Sequence, residues 1–207
     1  MTPSEIITAA RRQYNAVSDS FWTDAEILDQ IYFACMKLAL KGNLIEQSYT
    51  TTTVASTQEY AYPTNAYAIK RITYDGAPLT PIDFSEDDSM TLNNQASTAT
   101  GTSCYYYIWN KVIALRPIPD AAETLKIFTY NRPQRVTLTS TLELDEQWHD
   151  YIQAYINREM TGKEKAFMGL YDRYDTQWKE GLKEAMKYAI KKKSTNAFGV
   201  VKVEGML

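Results

Sequence analysis

The chain contains one histidine, His149, and Glu146 stands three residues before it. On a helix this ExxH spacing places a carboxylate and an imidazole on one face, as di-iron four-helix proteins require. Those sites need a second ExxH and further glutamates, and a chain with one histidine has no second half. We therefore expect no metal site. Asp145 and Glu146 are predicted in the first turn of a helix, favoured by its dipole, with His149 capping or pairing locally.

The sequence also lacks the motifs of nucleophilic catalysis and of nucleotide binding. The sequence has no G-x-S-x-G elbow, no GxxxxGK phosphate loop and no GxGxxG turn. The acidic run from Glu86 to Asp88 is typical of a solvated loop rather than of a glycosidase carboxylate pair. Cys35 and Cys104 fall in an apolar helical run and an aromatic strand-like run, so both are predicted to be buried small hydrophobes in a reducing compartment. No catalytic residue and no cofactor is predicted.

Composition restricts the function further. The chain has 207 residues and a formal net charge of -3 at pH 7, whereas a protein that mainly grips nucleic acid carries a strong basic stripe. Lysines at 191–193 end a helix in which Glu180 and Glu184 are interleaved, so they are predicted to complement the helix dipole. No apolar run approaches the ~20 residues of a membrane span, so we expect a soluble protein made in the cytosol.

Two capped helices open the chain. Thr2-Pro3-Ser4-Glu5 has a capping box with proline at the first helical position, and it predicts a helix to about Val17. Thr23-Asp24-Ala25-Glu26 repeats the box, and Gly42 ends the second helix. The apolar residues of the second helix recur at helical spacing: Ile27, Leu28, Ile31, Cys35 and Leu38.

From about residue 47 to 140 the pattern changes to threonine, tyrosine, valine and turn residues. The runs TQEYAYP, AIKRITYDGAPLTPI, CYYYIWNKVIALRPI and TLKIFTYNRP are short and β-rich. Asp75-Gly76 and Trp109-Asn110-Lys111 stand where hairpin turns belong. The polar stretch SEDDSMTLNNQASTATGTS between them is predicted to be a loop. This region is predicted to be a compact antiparallel β unit.

Helical periodicity returns after residue 140. An apolar stripe runs from Trp148 to Met160 and, after a kink predicted at Thr161-Gly162, continues to Ile190. Helices on both sides of a β unit most simply pack together. We therefore predict an α+β fold: a helical bundle of residues 1–46 and 141–193, an inserted β domain of residues 47–140, and an extended tail of residues 194–207. The predicted bundle core comprises Trp22, Ile27, Ile31, Trp148, Ile152, Ile156, Tyr174 and Trp178.

The tail carries no helical stripe. Its valines, between Gly199 and Gly205, favour a short extended strand. Such a strand is able to add to an exposed sheet edge of a partner, with side chains filling pockets, or to fold back on its own subunit. The residues predicted to bind a partner are Phe198, Val200, Val201, Val203 and Leu207.

This order of parts resembles the head-to-tail adaptor, or connector, proteins of tailed bacteriophages. The resemblance covers most of the chain and depends on SFWTDAEILDQIYFACMKLAL, YAIKRITYDGAPLTPIDF, IWNKVIALRPIP and LDEQWHDYIQAYINREM. The most telling motifs are W-x-D-x-E-I-x-x-x-I at Trp22 to Ile31 and L-x-x-x-W-H-x-x-I at Leu144 to Ile152. The long β insertion departs from the smaller adaptors.

The resemblance implies a structural virion protein at the head-to-tail interface, made in the host cytoplasm. Its partners would be the portal protein, neighbouring copies in a ring that is usually dodecameric, and the tail nozzle or another tail component. Packaged DNA would pass through the channel without specific binding. It also implies that Trp148 and Ile152 face the bundle while His149 lies on the polar side of its helix.

Two alternatives stay open beside the ring-forming adaptor. The first is a monomeric or dimeric chaperone of tail assembly or completion, acting as a binding module. The second is a small hydrolase, which would need a concave site with convergent polar groups and a shifted pKa. Oligomeric state separates the adaptor from the chaperone.

Overall fold

The computed structural model of the protein describes residues 1–14, 22–84, 99–163 and 168–197. The chain divides into a helical unit, Met1–Ile45 with Arg132–Leu207, and a β unit, Glu46–Asn131. Four α-helices and several mainly antiparallel sheets lie in the described residues, so the fold is α+β. The β unit ends at Asn131 rather than at residue 140, because Val136 and Leu142 pack with the helical core.

The two N-terminal helices begin at the capping boxes seen in the sequence. Helix α1 spans Pro3–Gln13 and α2 spans Asp24–Gly42, with Thr2 and Thr23 as N-caps. Each threonine hydroxyl oxygen accepts from the backbone N–H of the glutamate three residues later, and that glutamate's carboxylate accepts from the backbone N–H of the threonine. Two backbone donors that lack a partner within the helix are thereby satisfied at each N-terminus. Helix α1 ends before the predicted Val17, since Tyr14 is already its C-cap.

The C-terminal part of the helical unit holds two separate helices instead of one kinked helix. A short 3₁₀ turn, Glu146–Trp148, leads into α3, His149–Lys163, and α4 spans Met168–Ala197. Helix α4 includes residues 194–197, so the prediction that the extended tail begins at Ser194 is wrong for those four residues. Lysines and small polar residues extend a helix that is already propagated, because adding one residue to a helix costs far less than nucleating one.

Aromatic pairs show that α3 and α4 run antiparallel. The ring centroid of Trp148 lies 6.0 Å from that of Tyr188, and Tyr155 lies 4.8 Å from Trp178. Residue numbers therefore rise along α3 in the direction in which they fall along α4. Thr161, whose hydroxyl donates to the carbonyl oxygens four and three residues before it, stands close to the end of α3.

One apolar cluster forms the interior of the helical unit. All eight residues predicted for the bundle core are at most 7% exposed. Seven of them belong to this cluster. The eighth, Tyr174, is buried beside it, where its hydroxyl accepts from the side chain of Gln13. That bond ties α1 to α4, and Tyr14, the C-cap of α1, ties it to α3 by donating to the carbonyl of Asn157 at 2.9 Å.

The described residues of the β unit, 46–84 and 99–131, form ten short strands arranged in three sheets. A four-stranded sheet has the order β1-β10-β3-β4, a second has the order β2-β8-β7-β5, and β6 pairs with β9. Side chains from the first two sheets share one apolar core. The strand bounds are β1 Glu46–Thr52, β2 Glu59–Ala61, β3 Ala66–Tyr74, β4 Ala77–Pro78, β5 Thr80–Pro81, β6 Thr100–Gly101, β7 Tyr105–Trp109, β8 Val112–Arg116, β9 Ile118–Pro119 and β10 Thr124–Asn131.

Both predicted hairpin turns are confirmed. Asp75-Gly76 joins β3 to β4 and Asn110-Lys111 joins β7 to β8, and all four residues have positive φ, as type I′ hairpin turns require. Trp109, predicted in the second turn, is the last residue of β7. Two pairings depart from the predicted antiparallel pattern, because β5–β7 and β6–β9 are parallel. Strand β6 also lies within the stretch predicted as a loop, and residues 85–98 of that stretch lie outside the described residues.

The two cysteines have opposite environments. Cys35 is buried in the helical core, and burial, with the Glu143 carboxylate second, raises the pKa of its thiol to about 12. Cys104 is exposed, so its predicted burial is wrong. The inward position next to it is taken by Ser103, which is 3% exposed and donates to the carbonyl of Pro117. Alternation along an extended chain then turns Cys104 outward.

None of the described helices is long and apolar enough to cross a membrane.

The contact between α3 and α4 predicts different responses at two glycines of α4. A methyl group at Gly181 would overlap Cβ and Cγ of Tyr151, whereas one at Gly169 meets no described atom within 4 Å. Gly181→Ala is expected to lower the free energy of unfolding by about 1–3 kcal/mol, because overpacking strains a close helix contact. Gly169→Ala, the matched control, is expected to leave it unchanged or slightly raised. Urea denaturation followed by circular dichroism measures both, and equal effects would contradict the close approach.

Candidate functional site

The structure places Glu146 and His149 in different surroundings. Glu146 is exposed in the 3₁₀ turn, and His149 is 6% exposed, so the expectation that His149 lies on the polar side of its helix is wrong. His149 differs from Glu146 because both of its ring nitrogens have hydrogen-bond partners inside the helical unit, at Met1 and at the carbonyl of Leu144. The two side chains therefore do not form a common metal-binding face.

Both ring nitrogens of His149 have partners. The Nδ1 atom lies 2.9 Å from the Met1 amine, and Nε2 lies 3.0 Å from the carbonyl oxygen of Leu144. An ammonium only donates and a carbonyl only accepts, so these partners match the neutral tautomer with its proton on Nε2. His149 thus ties the chain before α3 to the N-terminal segment. Among the described residues, no group of three or more His, Cys, Asp or Glu is arranged to hold a metal ion.

The predicted partner-binding residues of the tail, Phe198, Val200, Val201, Val203 and Leu207, all lie outside the described residues.

Helix α2 carries the most distinctive exposed surface of the helical unit. Its inner face consists of residues such as Ile27, Ile31 and Leu38, each fully buried. On the opposite side, Phe33 is 43% exposed and Leu40 is 40% exposed. Met36, between them, is half-buried. We call Phe33, Met36 and Leu40 the α2 outer stripe.

The spacing of the α2 outer stripe makes it one continuous helical face. Residues three, four and seven apart lie above one another on a helix. A helix that is apolar on two opposite faces is typical of one that is buried on both sides. Within the described residues of the helical unit, only the inner face of α2 is packed into the core. The outer stripe is therefore a surface that matches a protein partner.

Charged side chains border this stripe. The guanidinium of Arg135 lies 2.5 Å from the carboxylate of Asp29 and 4.9 Å from the ring centroid of Tyr32. On the other side, Lys37 Nζ lies 3.1 Å from the hydroxyl of Tyr155. An apolar centre with a polar rim is the composition of protein–protein interfaces.

Helix α4 exposes a smaller apolar pair. Met186 is 40% exposed and Ile190 is 69% exposed, one helical turn apart. Trp178 and Ala185 of the same helix are instead buried in the core. Lys183 and Lys187 lie beside the pair on the same side of the helix. This surface is more charged than the α2 outer stripe, which makes it the weaker candidate for a packed interface.

A match to a protein family indicates the kind of protein to which these surfaces belong. The family model described as SU10 adaptor protein matches residues 1–201, which include the whole β unit and all but the last six residues of the helical unit. The chain belongs to the SU10 adaptor protein family. Membership confirms the resemblance to phage head-to-tail adaptors and identifies the protein as a phage adaptor and structural protein. A structural adaptor family implies a component of the virion and a protein that is not an enzyme. No curated protein matches the chain.

The sequence of this adaptor-family chain also contains a signal for the α2 outer stripe, in addition to the inner stripe that predicts the core. Phe33, Met36 and Leu40 repeat at intervals of three and four, offset by about half a turn from the inner residues. The regular inner stripe already accounts for the helix, so the second set of apolar residues resembles the scattered apolar residues found on most protein surfaces. The two stripes of α2 are distinguished only in the structure, where one is buried and the other is exposed.

The environment of His149 gives a prediction that separates a structural role from a metal site. His149→Ala is expected to lower the free energy of unfolding by about 1–3 kcal/mol, because it leaves the buried Leu144 carbonyl without its donor. Glu146→Ala, at the exposed position of the same ExxH, is expected to change it by no more than about 0.5 kcal/mol. Thermal melting measures both variants. Elemental analysis of the wild-type protein that finds a stoichiometric metal, lost in both variants, would contradict this assignment.

Proposed function

We propose that this adaptor-family chain forms a ring, of twelve copies as in the adaptors it resembles, beneath the portal of a tailed phage. The ring extends the DNA channel and offers its far side to the tail nozzle or another tail component. The α2 outer stripe is the single observation that carries the proposal. It gives each copy an apolar surface that requires a partner.

Energetic considerations favour a neighbouring copy as that partner. Burying a fully exposed side chain the size of Phe, Met or Leu contributes about 1.5–3 kcal/mol, and the three stripe residues are already partly buried, so each gains only part of this. Three such side chains provide an interface that is modest for one pair of subunits, because association also costs translational and rotational freedom. In a closed ring every copy uses the surface, so contacts that are weak singly become stable together.

The channel function is consistent with the charge of the chain. DNA must slide through the ring, and each phosphate that a wall cation neutralises adds salt-dependent affinity and friction. A formal net charge of -3 suits a wall that does not hold the duplex. The ring therefore conducts DNA without specific binding.

Attachment to the portal is assigned to residues 198–207. The described part of α4 reaches Ala197, and the sequence that follows contains Val200, Val201 and Val203. β-branched residues favour a strand, and an added strand gains main-chain hydrogen bonds at an exposed sheet edge. We propose that this strand adds to the portal or to the neighbouring copy.

The ring proposal predicts that charges within the α2 outer stripe prevent assembly. Phe33→Glu combined with Leu40→Glu is expected to abolish ring formation on purified portal, because two carboxylates would be buried without partners. Both positions are exposed in the single chain, so its melting temperature should fall only slightly. Native mass spectrometry of chain mixed with portal counts the copies bound.

Val54→Glu is the control for that experiment. Val54 is 60% exposed in the β unit, so this variant adds a surface charge at a position outside the α2 outer stripe. It should assemble as the wild type does. A wild-type chain that binds portal as a monomer or dimer and leaves finished particles would identify a chaperone instead, and would overturn the ring proposal.

Deleting residues 198–207 tests the proposed strand donation. The truncated chain should keep the melting temperature of the full chain, because the helical core is formed by residues outside the deletion. It should lose stable attachment to the portal, measured by co-sedimentation. A truncated chain that binds portal as tightly as the full chain would refute the donated strand, and one that loses stability would show that the tail folds back on its own subunit.

A further inference from the structure

The outer face of the first four-stranded sheet carries basic side chains arranged by a break in strand register. Arg71 of β3 lies opposite Phe128 of β10. The next pair joins Ile69 to Thr129, so Lys70 has no partner across the strands. Successive side chains of a regular strand point to opposite faces, but a bulge redirects one of them. Lys70 and Arg71 are in fact both exposed.

Aromatic rings hold the cations on this face. The Arg71 guanidinium lies 4.8 Å from the ring centroid of Phe128, and Lys126 Nζ lies 5.0 Å from the same centroid. Lys70 Nζ lies 5.8 Å from the ring centroid of Tyr130. Contact with an aromatic face restrains a long cationic side chain without neutralising it. We call Lys70, Arg71 and Lys126 the basic face.

The basic face has more positive charge than its own surroundings balance. Lys70 forms an ion pair of 2.8 Å with Glu46. Arg71 and Lys126 form no ion pair with any residue in the described ranges, although both approach the same ring. Two like charges near one ring repel each other, and an anionic partner would remove that repulsion. The arrangement is therefore complementary to carboxylates or phosphates.

A protein carboxylate fits this face better than nucleic acid does. Platforms for single strands leave aromatic faces free for bases to stack upon, whereas Phe128 already contacts two cations. Affinity for a DNA duplex increases with the number of phosphates that the protein neutralises, so two cations without ion-pair partners contribute only weak affinity. The partner indicated by the contacts is an acidic protein surface.

The same chain carries an acidic surface in its helical unit. Four exposed carboxylates lie within eight residues around the start of α3, and these are Glu143, Asp145, Glu146 and Asp150. None of them forms an ion pair with a residue that the structure describes. We call these four residues the acidic patch. Its charge is opposite to that of Arg71 and Lys126, the two cations of the basic face that form no ion pair with a described residue.

We infer that the basic face of one copy contacts the acidic patch of the neighbouring copy. This inference rests on the proposed ring and adds a second, electrostatic contact to the α2 outer stripe. Two different surfaces that join head to tail generate a ring when the rotation closes. Opposite charges fix the order and orientation of the copies, because a wrongly placed copy would bring like charges together.

Charge reversal on either side, and then on both, tests the contact. The first variant is Arg71→Glu with Lys126→Glu, and the second is Glu146→Lys with Asp150→Lys. Each is expected to lower ring yield on purified portal by about tenfold or more at low salt, because like charges then face each other across the interface. The variant with all four reversals restores opposite charges and should regain most of the rings.

Matched controls separate assembly from folding and from general charge effects. Lys111→Glu reverses an exposed charge in the β7–β8 turn, outside the basic face, and should assemble normally. Circular dichroism melting checks that every variant is folded. The neutral pair Arg71→Gln with Lys126→Gln replaces the first variant if that variant unfolds, and should reduce the salt dependence of ring yield.

Several outcomes would overturn the inference. One-sided reversals that assemble like the wild type exclude the charged contact, and leave the ring proposal standing if the Phe33→Glu/Leu40→Glu variant still fails. A folded four-reversal variant that forms no rings shows that the two surfaces do not meet. Loss of binding to a duplex DNA probe in the first variant, with ring yield unchanged, assigns the basic face to nucleic acid. A wild-type chain that forms no ring on portal refutes both proposals.

Discussion

Helix α2 is apolar on two opposite faces, and the core of the helical unit packs against only one of them. The core takes Ile27, Ile31 and Leu38, which leaves Phe33 and Leu40 exposed. Moving these side chains into the same core would require space that close-packed interiors do not have. The exposed stripe is thus a consequence of how the unit folds. In our proposal for this structural phage adaptor, that exposed stripe serves as a surface for assembly.

The packing of α3 against α4 makes this arrangement possible. Gly181 lets the two helices approach closely, and the ring contacts from Trp148 to Tyr188 and from Tyr155 to Trp178 continue the contact along their length. This pair contributes Ile152, Ile156 and Trp178 to one cluster, and the 3₁₀ turn before α3 adds Trp148, so α2 needs to supply only its inner face. His149 adds to the same interior with both nitrogens bonded, which gives the single histidine a structural role.

The β unit builds its own apolar core and uses its outer surface differently. Its first sheet turns Ile72 and Ile127 inward, while the bulge at Lys70 places two consecutive cations outward. Cation–π contacts hold charge at the surface at small cost, because the rings are only half-buried and the cations remain solvated. An insertion into a helical scaffold has therefore acquired a polar surface with a defined charge pattern.

The sequence alone determined the features that depend on neighbours along the chain. Capping boxes at Thr2 and Thr23, the turn residues Asp75-Gly76 and Asn110-Lys111, and the inner stripe of α2 each involve residues a few positions apart, and local physics fixes them. The change of pattern from helical to β-rich and back likewise indicated an α+β fold, and family resemblance indicated a phage adaptor.

Tertiary structure decided the features that depend on distant residues. The burial of His149 requires Met1 and Leu144 together, and the outward position of Cys104 follows from the hydrogen bond of Ser103 to Pro117. The reversal between α3 and α4 appears only when their rings pair, because a stripe of period 3.6 is the same for a kinked helix as for a hairpin of two. The bulge at Lys70 belongs to the pairing of two strands that are far apart in sequence, so no pattern within either strand could reveal it.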